Sequence, residues 1–409
     1  MQRFESGEHA QFGARPGETE RTFTINGVTI TYGQMIAMAD MVPDFDALNH
    51  LSAAQLRTII ALIERQRTRG VASVSEQEWI SAAPEYLRLA THNVSHFAPA
   101  AGEWTSATAQ FYSDATNIAT AIADPTNHRA AWYQIHSRAM NLAWNGNLND
   151  ALARNAFGDH FLTDAFAAGH LINKQTVMDR ARHNLTAPAG FERRVADRVL
   201  ADPRSAPFAD YEIRTSAWRL IFGGGWHRVD AASLADLLDF VRYHNIMTDD
   251  AFINNFAKAV HDRLNAGGVE VTVRGGAAFQ LVGDKFLARS PQTLLAAQQA
   301  VARSRQDILD VRPRIPNPVP GMPAGGAPEP NYQAVCDTTW QLVPVATASG
   351  QRTIDDAINT LTDPSRPEAV NAFAEIILSN VNALIQQLAA QNLARRVTTP
   401  AATTTRTTP

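Results

Sequence analysis

Residues 158–170 read GDHFLTDAFAAGH, and the helix that they predict is the element around which we expect the fold to be organised. His160 and Asp164 are four residues apart, so on a helix they lie on one face, one turn apart, and can bind the same ion. His170 follows six residues after Asp164, which on a helix turning about 100° per residue directs it away from the first pair. One ion could not comfortably be bound by all three side chains, whereas two ions could if Asp164 bridges them. The alternative is a polar helix face exposed to solvent, although the apolar neighbours leave little room for one.

The same residues resemble the zinc signature of the zinc-dependent phospholipase C and single-strand-specific nuclease superfamily. In that family the signature runs His-Tyr-x-(Gly/Thr)-Asp, followed by His at the spacing found here. Positions that match are His160, Thr163, Asp164 and His170. Positions that depart are Phe161 in place of Tyr, Ala168 in place of Pro, and Ile172 and Lys174 in place of a small residue and Asn. The resemblance implies a mainly α-helical protein that binds two or three zinc ions and hydrolyses phosphodiesters.

The composition indicates that the ligands of any metal site would be histidine and carboxylate side chains. The chain has 409 residues, of which 45% are hydrophobic, enough for one large domain or two smaller ones. Its formal net charge of −4 indicates no basic surface for a polyanion, so nucleic acid is the less favoured partner. The single cysteine, Cys336, excludes an internal disulfide and cannot supply a thiolate metal site.

The sequence shows no membrane-spanning or secretory segment. No hydrophobic run reaches the roughly 18–20 residues that span a bilayer, and residues 1–6 lack the charged-then-apolar plan of a secretory signal. We therefore expect a cytoplasmic protein, or one exported by a non-classical route. The best-known members of the superfamily are secreted and use a processed N-terminal Trp as a zinc ligand, which Met1 cannot replace directly.

Upstream of the signature, three elements carry candidates for the remaining ligands. In the family a His near the N-terminus completes a third zinc site, and His9 is the only candidate in such a place; a solvated tail residue is the alternative. Asp40, at the end of a predicted helix, matches the family's upstream carboxylate, although helix capping or surface exposure would also explain it. His92 and His96 form an i, i+4 pair at another helix end. His96 is the preferred ligand and His92 the reserve, while favourable contact with the helix dipole is the alternative for both.

Downstream, the candidate ligands are His261 and Asp262. They lie near the end of a helix predicted over 250–265 and precede a predicted hairpin, an arrangement that resembles the element following the signature helix in bacterial relatives. The resemblance implies that His261 binds another zinc together with His170, with Asp262 as a ligand or as the group that orients His261. A helix cap with a salt bridge is the alternative. His183 is a further candidate, but it lacks the carboxylate four residues later that relatives show.

The whole chain predicts a mainly α-helical fold, a multi-helix bundle like that of zinc phospholipase C, with two small β-hairpins. One hairpin is expected over 22–31 around Asn26-Gly27 and the other over 269–282 around Gly275-Gly276, because both dipeptides favour tight turns. The expected segments are a polar N-terminal segment at 1–21, a helical zinc hydrolase-like domain at 22–312, a Pro/Gly-rich linker at 313–331, a C-terminal helical segment at 332–397 and a disordered tail at 398–409. Within the C-terminal segment one apolar-striped helix is expected over about 367–396.

These features lead us to expect a zinc-dependent phosphodiester hydrolase, most similar to phospholipase C. Asp164 and Asp40 would act as catalytic residues by holding the ions that activate water and bind the phosphate. The expected substrate is a phospholipid or another phosphodiester, and a lipid substrate would bring transient contact with a membrane surface. A single-strand-specific nuclease is the alternative within the superfamily. An alternative of another class is a helical scaffold or effector protein that keeps the fold without catalysis.

Overall fold

The computed structural model describes residues 6–13, 18–91, 93–114, 125–185, 190–214, 226–241, 250–311, 329–379, 381–390 and 394–397. Within these ranges the chain is mainly α-helical with small antiparallel sheets, as the sequence predicts. His92, residues 313–328 of the expected linker and the expected tail at 398–409 lie outside them. None of the described helices is both long enough and apolar enough to cross a membrane.

The described helices and strands are numbered in chain order. The helices are α1 Ser6–His9, α2 Tyr32–Ala37, α3 Ala53–Arg69, α4 Glu76–Ala82, α5 Tyr86–Thr91, α6 Ser106–Ser113, α7 His128–Trp144, α8 Leu148–Asp164, α9 Lys174–Leu185, α10 Phe191–Leu200, α11 Ala231–Val241, α12 Asp250–Gly267, α13 Pro291–Asp310, α14 Tyr332–Trp340, α15 Ala348–Thr362, α16 Pro367–Ser379 and α17 Val381–Ala390. The strands are β1 Thr22–Ile25, β2 Val28–Thr31, β3 Tyr211–Arg214, β4 Trp226–Arg228, β5 Val269–Thr272, β6 Phe279–Leu281, β7 Val345–Ala346 and β8 Ala394–Arg396. Short 3-10 turns that matter for the site are Ala10–Phe12, Met38–Asp40, Val94–His96 and Ala168–Leu171.

Residue contacts divide the chain into two compact units. Unit 1 consists of Met1–Thr176 and Val260–Ala357, and unit 2 consists of Val177–Ala259 and Ile358–Pro409. Each unit is therefore built from two separate stretches of sequence.

Helix α8 is the centre of unit 1 and packs against α2, α7 and α13. From Ala151 to its last residue, every side chain of α8 except Arg154 is buried. A helix that is surrounded by protein in this way is usually apolar on all sides, whereas α8 also buries several polar side chains among its apolar ones. His160 and Asp164 are thus interior residues, and a solvated polar face is not their role.

The other aspartate of the signature stretch, Asp159, ties α8 to its neighbours. Its carboxylate accepts hydrogen bonds from the Tyr32 hydroxyl at 2.8 Å, from Trp132 Nε1 at 3.1 Å and from the Ser304 hydroxyl at 2.6 Å. Burial raises the pKa of Asp159 to about 6, and these donors act in the opposite direction. Because the donors come from α2, α7 and α13, Asp159 fixes the position of the helix turn that carries the metal-competent residues.

Both predicted hairpins are present in unit 1. β1 pairs with β2 in the register Thr22↔Thr31 to Ile25↔Val28. Asn26 and Gly27 form the turn with φ of 49° and 73°, left-handed values that a two-residue hairpin turn requires. β5 pairs with β6, and β7 adds a third strand on the other side of β5.

Unit 2 contains a third sheet that the sequence pattern does not predict. Its strand order is β4-β3-β8, with Tyr211 of β3 opposite Arg396 of β8. Within the helix predicted over 367–396 the structure describes α16 and α17, whereas Ala394–Arg396 is extended and pairs with β3. In the core of unit 2, the rings of Phe191 and Phe373 pack edge to face with centroids 5.5 Å apart.

Candidate metal centre

Unit 1 brings most of the predicted ligands into one buried cluster of five histidines and three aspartates. The cluster divides into three groups, and within each group one ligand atom per residue lies within 4.8 Å of the others. The groups are Asp40, His96 and His160; His9, His160 and Asp164; and His170, His261 and Asp284. Buried groups of histidine and aspartate that are this close could hold metal ions.

The first group joins the end of α8 to the turns that carry Asp40 and His96. His160 Nε2 lies 3.0 Å from His96 Nδ1 and 3.4 Å from Asp40 Oδ1. Asp164 Oδ2 lies 2.9 Å from His96 Nδ1 and 3.4 Å from His160 Nε2. His160 and Asp164 meet here because their four-residue spacing places both on one face of α8. Asp40 and His96 are buried as well, so surface exposure does not account for either.

In the second group, His9 reaches the same turn of α8 from the N-terminal part of the chain. Its Nδ1 lies 2.8 Å from the Thr163 hydroxyl, a contact that orients the ring. Its Nε2 lies 3.6 Å from Asp164 Oδ1, and its ring centroid is 4.4 Å from that of His160. Only 3% of His9 is exposed, so it is not a solvated tail residue.

The third group contains His170, which is linked to the second group through Asp164. His170 Nδ1 lies 3.2 Å from Asp164 Oδ1, and its Nε2 lies 3.5 Å from Asp284 Oδ2. His261 Nε2 lies 3.0 Å from the same Asp284 oxygen. Asp164 therefore faces histidines that belong to all three groups, which is the arrangement expected of a bridging carboxylate.

Two aspartates near His261 have different positions. Asp262 lies 3.0 Å from His261 Nδ1, has a side chain that is 42% exposed and belongs to none of the three groups. Asp284, which was not among the residues predicted from sequence, faces His261 Nε2 instead. The signal that could have found it is its position directly after the second predicted hairpin, since a strand returning alongside β5 brings the next residues back to the end of α12.

A close backbone approach holds the third group together. The Gly169 N–H donates a hydrogen bond of 2.5 Å to Asn265 Oδ1, and Asn265 Nδ2 donates one of 3.2 Å to Asp284 Oδ2. A Cβ atom on Gly169 would lie 2.5 Å from His261 Cδ2, a distance that real side chains do not adopt. Glycine at 169 therefore allows the turn that carries His170 to reach α12.

The protonation states of the cluster follow from burial and from the neighbouring carboxylates. Burial lowers the pKa of His160 and lowers that of His170 to about 3, while it raises the pKa of Asp164. Burial would also lower the pKa of His261, but hydrogen bonds to two carboxylates outweigh it and raise this pKa to about 9. For Asp284, burial is outweighed by the hydrogen bond to His261, and its pKa is lowered. His160 and His170 would thus be neutral, the form that can bind a metal, whereas a metal binding at His261 would displace a proton.

The donor atoms of the cluster suit a metal ion. His9 Nε2 and Asp164 Oδ1 are buried and have no hydrogen-bond partner within the part of the chain that the structure describes. A buried polar atom without a partner is unfavourable, and a cation bound by both atoms would remove that cost. All donors are imidazole nitrogen or carboxylate oxygen, a set that suits zinc in the absence of cysteine.

His183, the further candidate from the sequence, and His136, which is not a predicted ligand, lie outside the cluster. His183 is exposed in unit 2 and belongs to none of the three groups. His136 is buried in unit 1, where its Nδ1 lies 2.6 Å from Asn155 Oδ1. Neither residue contributes to the cluster.

The two aspartates beside His261 provide a direct test of the third group. Asp284→Asn is expected to lower the bound metal by about one ion per chain, because it removes a carboxylate that faces two histidines. Asp262→Asn should keep the full stoichiometry and weaken metal affinity by about 10–100-fold, as is usual when an orienting partner is lost. Metal analysis and competition with a chromophoric chelator would measure both quantities. If Asp262→Asn lost an ion and Asp284→Asn kept all of them, the assignment of these two residues would be reversed.

The three groups are linked to one another, although only the first two have a residue in common. His160 takes part in two groups, and Asp164 connects to the third through His170. Overlapping groups of this kind suit a cluster of divalent ions better than a single isolated ion. Comparison of the chain with protein-family models, with curated proteins and with solved structures gives no match.

Proposed function

We propose that this chain binds two or three zinc ions in unit 1 and hydrolyses phosphodiesters in the manner of a phospholipase C. The observation that carries the proposal is the position of Asp164, whose two oxygens face His9, His96, His160 and His170 at 2.9–3.6 Å. The resemblance of residues 158–170 to the zinc signature of the phospholipase C and nuclease superfamily supports it. We propose membership of that superfamily on the same residues.

Each residue of the cluster would have a defined task. Asp164 would be shared between ions, and Asp40 would complete the donor set around His96 and His160. Thr163 and Asp262 hold the rings of His9 and His261 through the hydrogen bonds described above. Zinc ions bound by these residues supply charge stabilisation for the phosphate and lower the pKa of a bound water.

The net charge of the chain favours a small phosphodiester as substrate. A formal net charge of −4 provides no excess of cationic side chains for a polyanion, so a phospholipid or another small phosphodiester is preferred over single-stranded nucleic acid. A lipid substrate would require transient contact with a membrane surface.

The experiment is a metal analysis of protein purified without chelator, with hydrolysis assays on the same preparations. We expect two or three zinc ions per chain in the wild type, fewer in His160→Ala and His170→Ala, and an unchanged number in His50→Ala, which removes an exposed histidine of unit 1. Bis(p-nitrophenyl) phosphate, phosphatidylcholine vesicles and single-stranded DNA serve as substrates. Hydrolysis that is lost with the metal supports the proposal, and a wild-type chain without bound metal would refute it.

A second candidate function is favoured by the burial of the cluster. His160, Asp164 and His170 are 0% exposed, and the adjoining cavity has a volume of about 20 Å³, room for about one water molecule. Structural zinc sites are closed in this way, whereas catalytic sites keep an open position. In this alternative the chain is a non-catalytic helical scaffold or effector protein, and the preparations above would contain zinc without hydrolysing any of the three substrates.

A further inference from the structure

A short segment at the start of the described chain closes the candidate metal centre. It runs from Ser6 to Phe12, comprises α1 and the following 3-10 turn, and is called the cover segment below. Glu8, His9 and Phe12 of the cover segment line the 20 Å³ cavity beside the cluster, together with Asp284. Ser6 and His9 are buried, so the segment lies over the site and is not a solvated tail.

The cover segment is attached to two of the elements that carry ligands. The Ser6 hydroxyl donates a hydrogen bond of 3.2 Å to Asp40 Oδ2. The Glu8 carboxylate accepts hydrogen bonds from the backbone N–H groups of Lys285 at 2.8 Å and Leu287 at 3.1 Å. The segment therefore spans the site from the turn that carries Asp40 to the loop that follows Asp284.

The backbone of the cover segment also packs closely against the backbone of α3 and α2. A Cβ atom on Gly7 would lie 2.5 Å from the backbone nitrogen of Arg67 in α3. A Cβ atom on Gly33 of α2 would lie 2.2 Å from the carbonyl oxygen of Ala10. Since neither contact can be relieved by rotating a flexible side chain, the closed position depends on glycine at both places.

The closed position leaves no space for the proposed substrate. Pockets that bind small molecules are typically about 300–1,000 Å³, far larger than the cavity beside the cluster. The cover segment has little stability of its own, because a four-residue helix is not stable by itself. Its displacement would open the site without unpacking α8, which is buried between other helices.

We propose that the cover segment is a displaceable closure of the metal centre, which supplies His9 in the closed state and withdraws it when the site opens to substrate. This inference rests on the proposed function for the identity of the substrate that enters the site. The selective opening of the cover segment does not require metal, so it can be measured in the metal-free protein.

Three matched substitutions in the full-length chain test the closure. Gly7→Ala changes the cover segment itself, and Gly33→Ala changes the part of α2 on which the segment packs. Gly267→Ala is the control, because a Cβ there meets no atom within 4 Å. After removal of metal by chelator, the histidines of each protein are modified with diethyl pyrocarbonate, and the rate at each residue is obtained by mass spectrometry.

The informative rate is that of His160, which lies beneath the cover segment. His50 is exposed and serves as the fully reactive reference, and His136 is buried in unit 1 outside the cluster and reports general unfolding. We expect Gly7→Ala and Gly33→Ala to raise the rate at His160 by about tenfold or more relative to the wild type, as for a local opening, while His136 stays slow. Gly267→Ala should match the wild type at all three residues.

Two outcomes would overturn the closure. One is an unchanged rate at His160 in both Gly7→Ala and Gly33→Ala. The other is a parallel rise at His136 in both variants, which would mean that the segment cannot open apart from the rest of unit 1. Zinc content, measured on the same preparations before chelation, tests the proposed function separately: zinc without selective opening refutes only the closure, and selective opening without zinc refutes only the metal-dependent function.

Discussion

Asp164→Asn is expected to reduce bound zinc from two or three ions per chain to one or none, and to lower phosphodiester hydrolysis by at least about a hundredfold. Its Oδ1 lies 3.6 Å from His9 Nε2 and 3.2 Å from His170 Nδ1. Its Oδ2 lies 2.9 Å from His96 Nδ1 and 3.4 Å from His160 Nε2. An amide nitrogen cannot bind a cation, so the isosteric substitution removes at least one donor from the centre of the cluster. Metal analysis and hydrolysis of bis(p-nitrophenyl) phosphate measure the two effects.

The matched control is Asp150→Asn on the same helix. Asp150 is partly exposed and accepts a hydrogen bond of 3.1 Å from Arg154 Nε. Its replacement should leave zinc content and hydrolysis at the wild-type level. Because burial already raises the pKa of Asp164, removing its charge is not expected to unfold the metal-free chain. Full zinc content in Asp164→Asn would show that this carboxylate is not shared between ions.

The sequence predicts the part of the cluster that is set by local geometry. His160 and Asp164 share a helix face because they are four residues apart. The structure differs for His170, because α8 ends at Asp164 and His170 lies on the 3-10 turn Ala168–Leu171 that follows. The helix repeat therefore accounts for the first pair, and the turn after α8 sets the direction of His170.

Residues that come together through long-range packing are harder to predict. Asp284 lies 23 residues from His261 and reaches it only because β6 returns alongside β5. Asp262 is next to His261 in the sequence, and proximity made it the candidate, but it contacts the nitrogen that faces away from Asp284. Sequence spacing does not specify which nitrogen of an imidazole a carboxylate will approach.

The same distinction holds for the fold. The first hairpin follows from Asn26-Gly27, since the turn needs two left-handed residues and these two adopt them readily. The sheet of unit 2 has no such local signal, because its central strand β3 pairs with β8 near the other end of the chain. Glu212 and Arg395 illustrate this, being opposite each other in the sheet and 183 residues apart.

Removal of metal from the wild-type chain is expected to lower the melting temperature of unit 1 by roughly 10 °C or more. A ligand present at a thousand times its dissociation constant stabilises the folded state by about 4 kcal/mol per site. For domains of about 150–250 residues, each kcal/mol shifts the melting temperature by about 2–4 °C. Without metal, the folded state has to keep five histidines and three aspartates in a buried cluster that lacks the cation their donor atoms suit. Removal of the metal therefore destabilises the folded state and leaves the unfolded state unaffected.

Differential scanning calorimetry with zinc, with excess chelator and after readdition of zinc measures this shift. Asp164→Asn serves as the control variant, because a chain that binds one zinc ion or none should show a smaller difference in melting temperature between zinc and chelator than the wild type does. An equal melting temperature in the wild type, with metal analysis showing that zinc was bound and then removed, would mean that the cluster forms at no cost without metal. A large and reversible shift in melting temperature without hydrolysis of any substrate would instead favour the closed, structural zinc centre over the enzyme. The free energy of zinc binding would then stabilise the fold without serving catalysis.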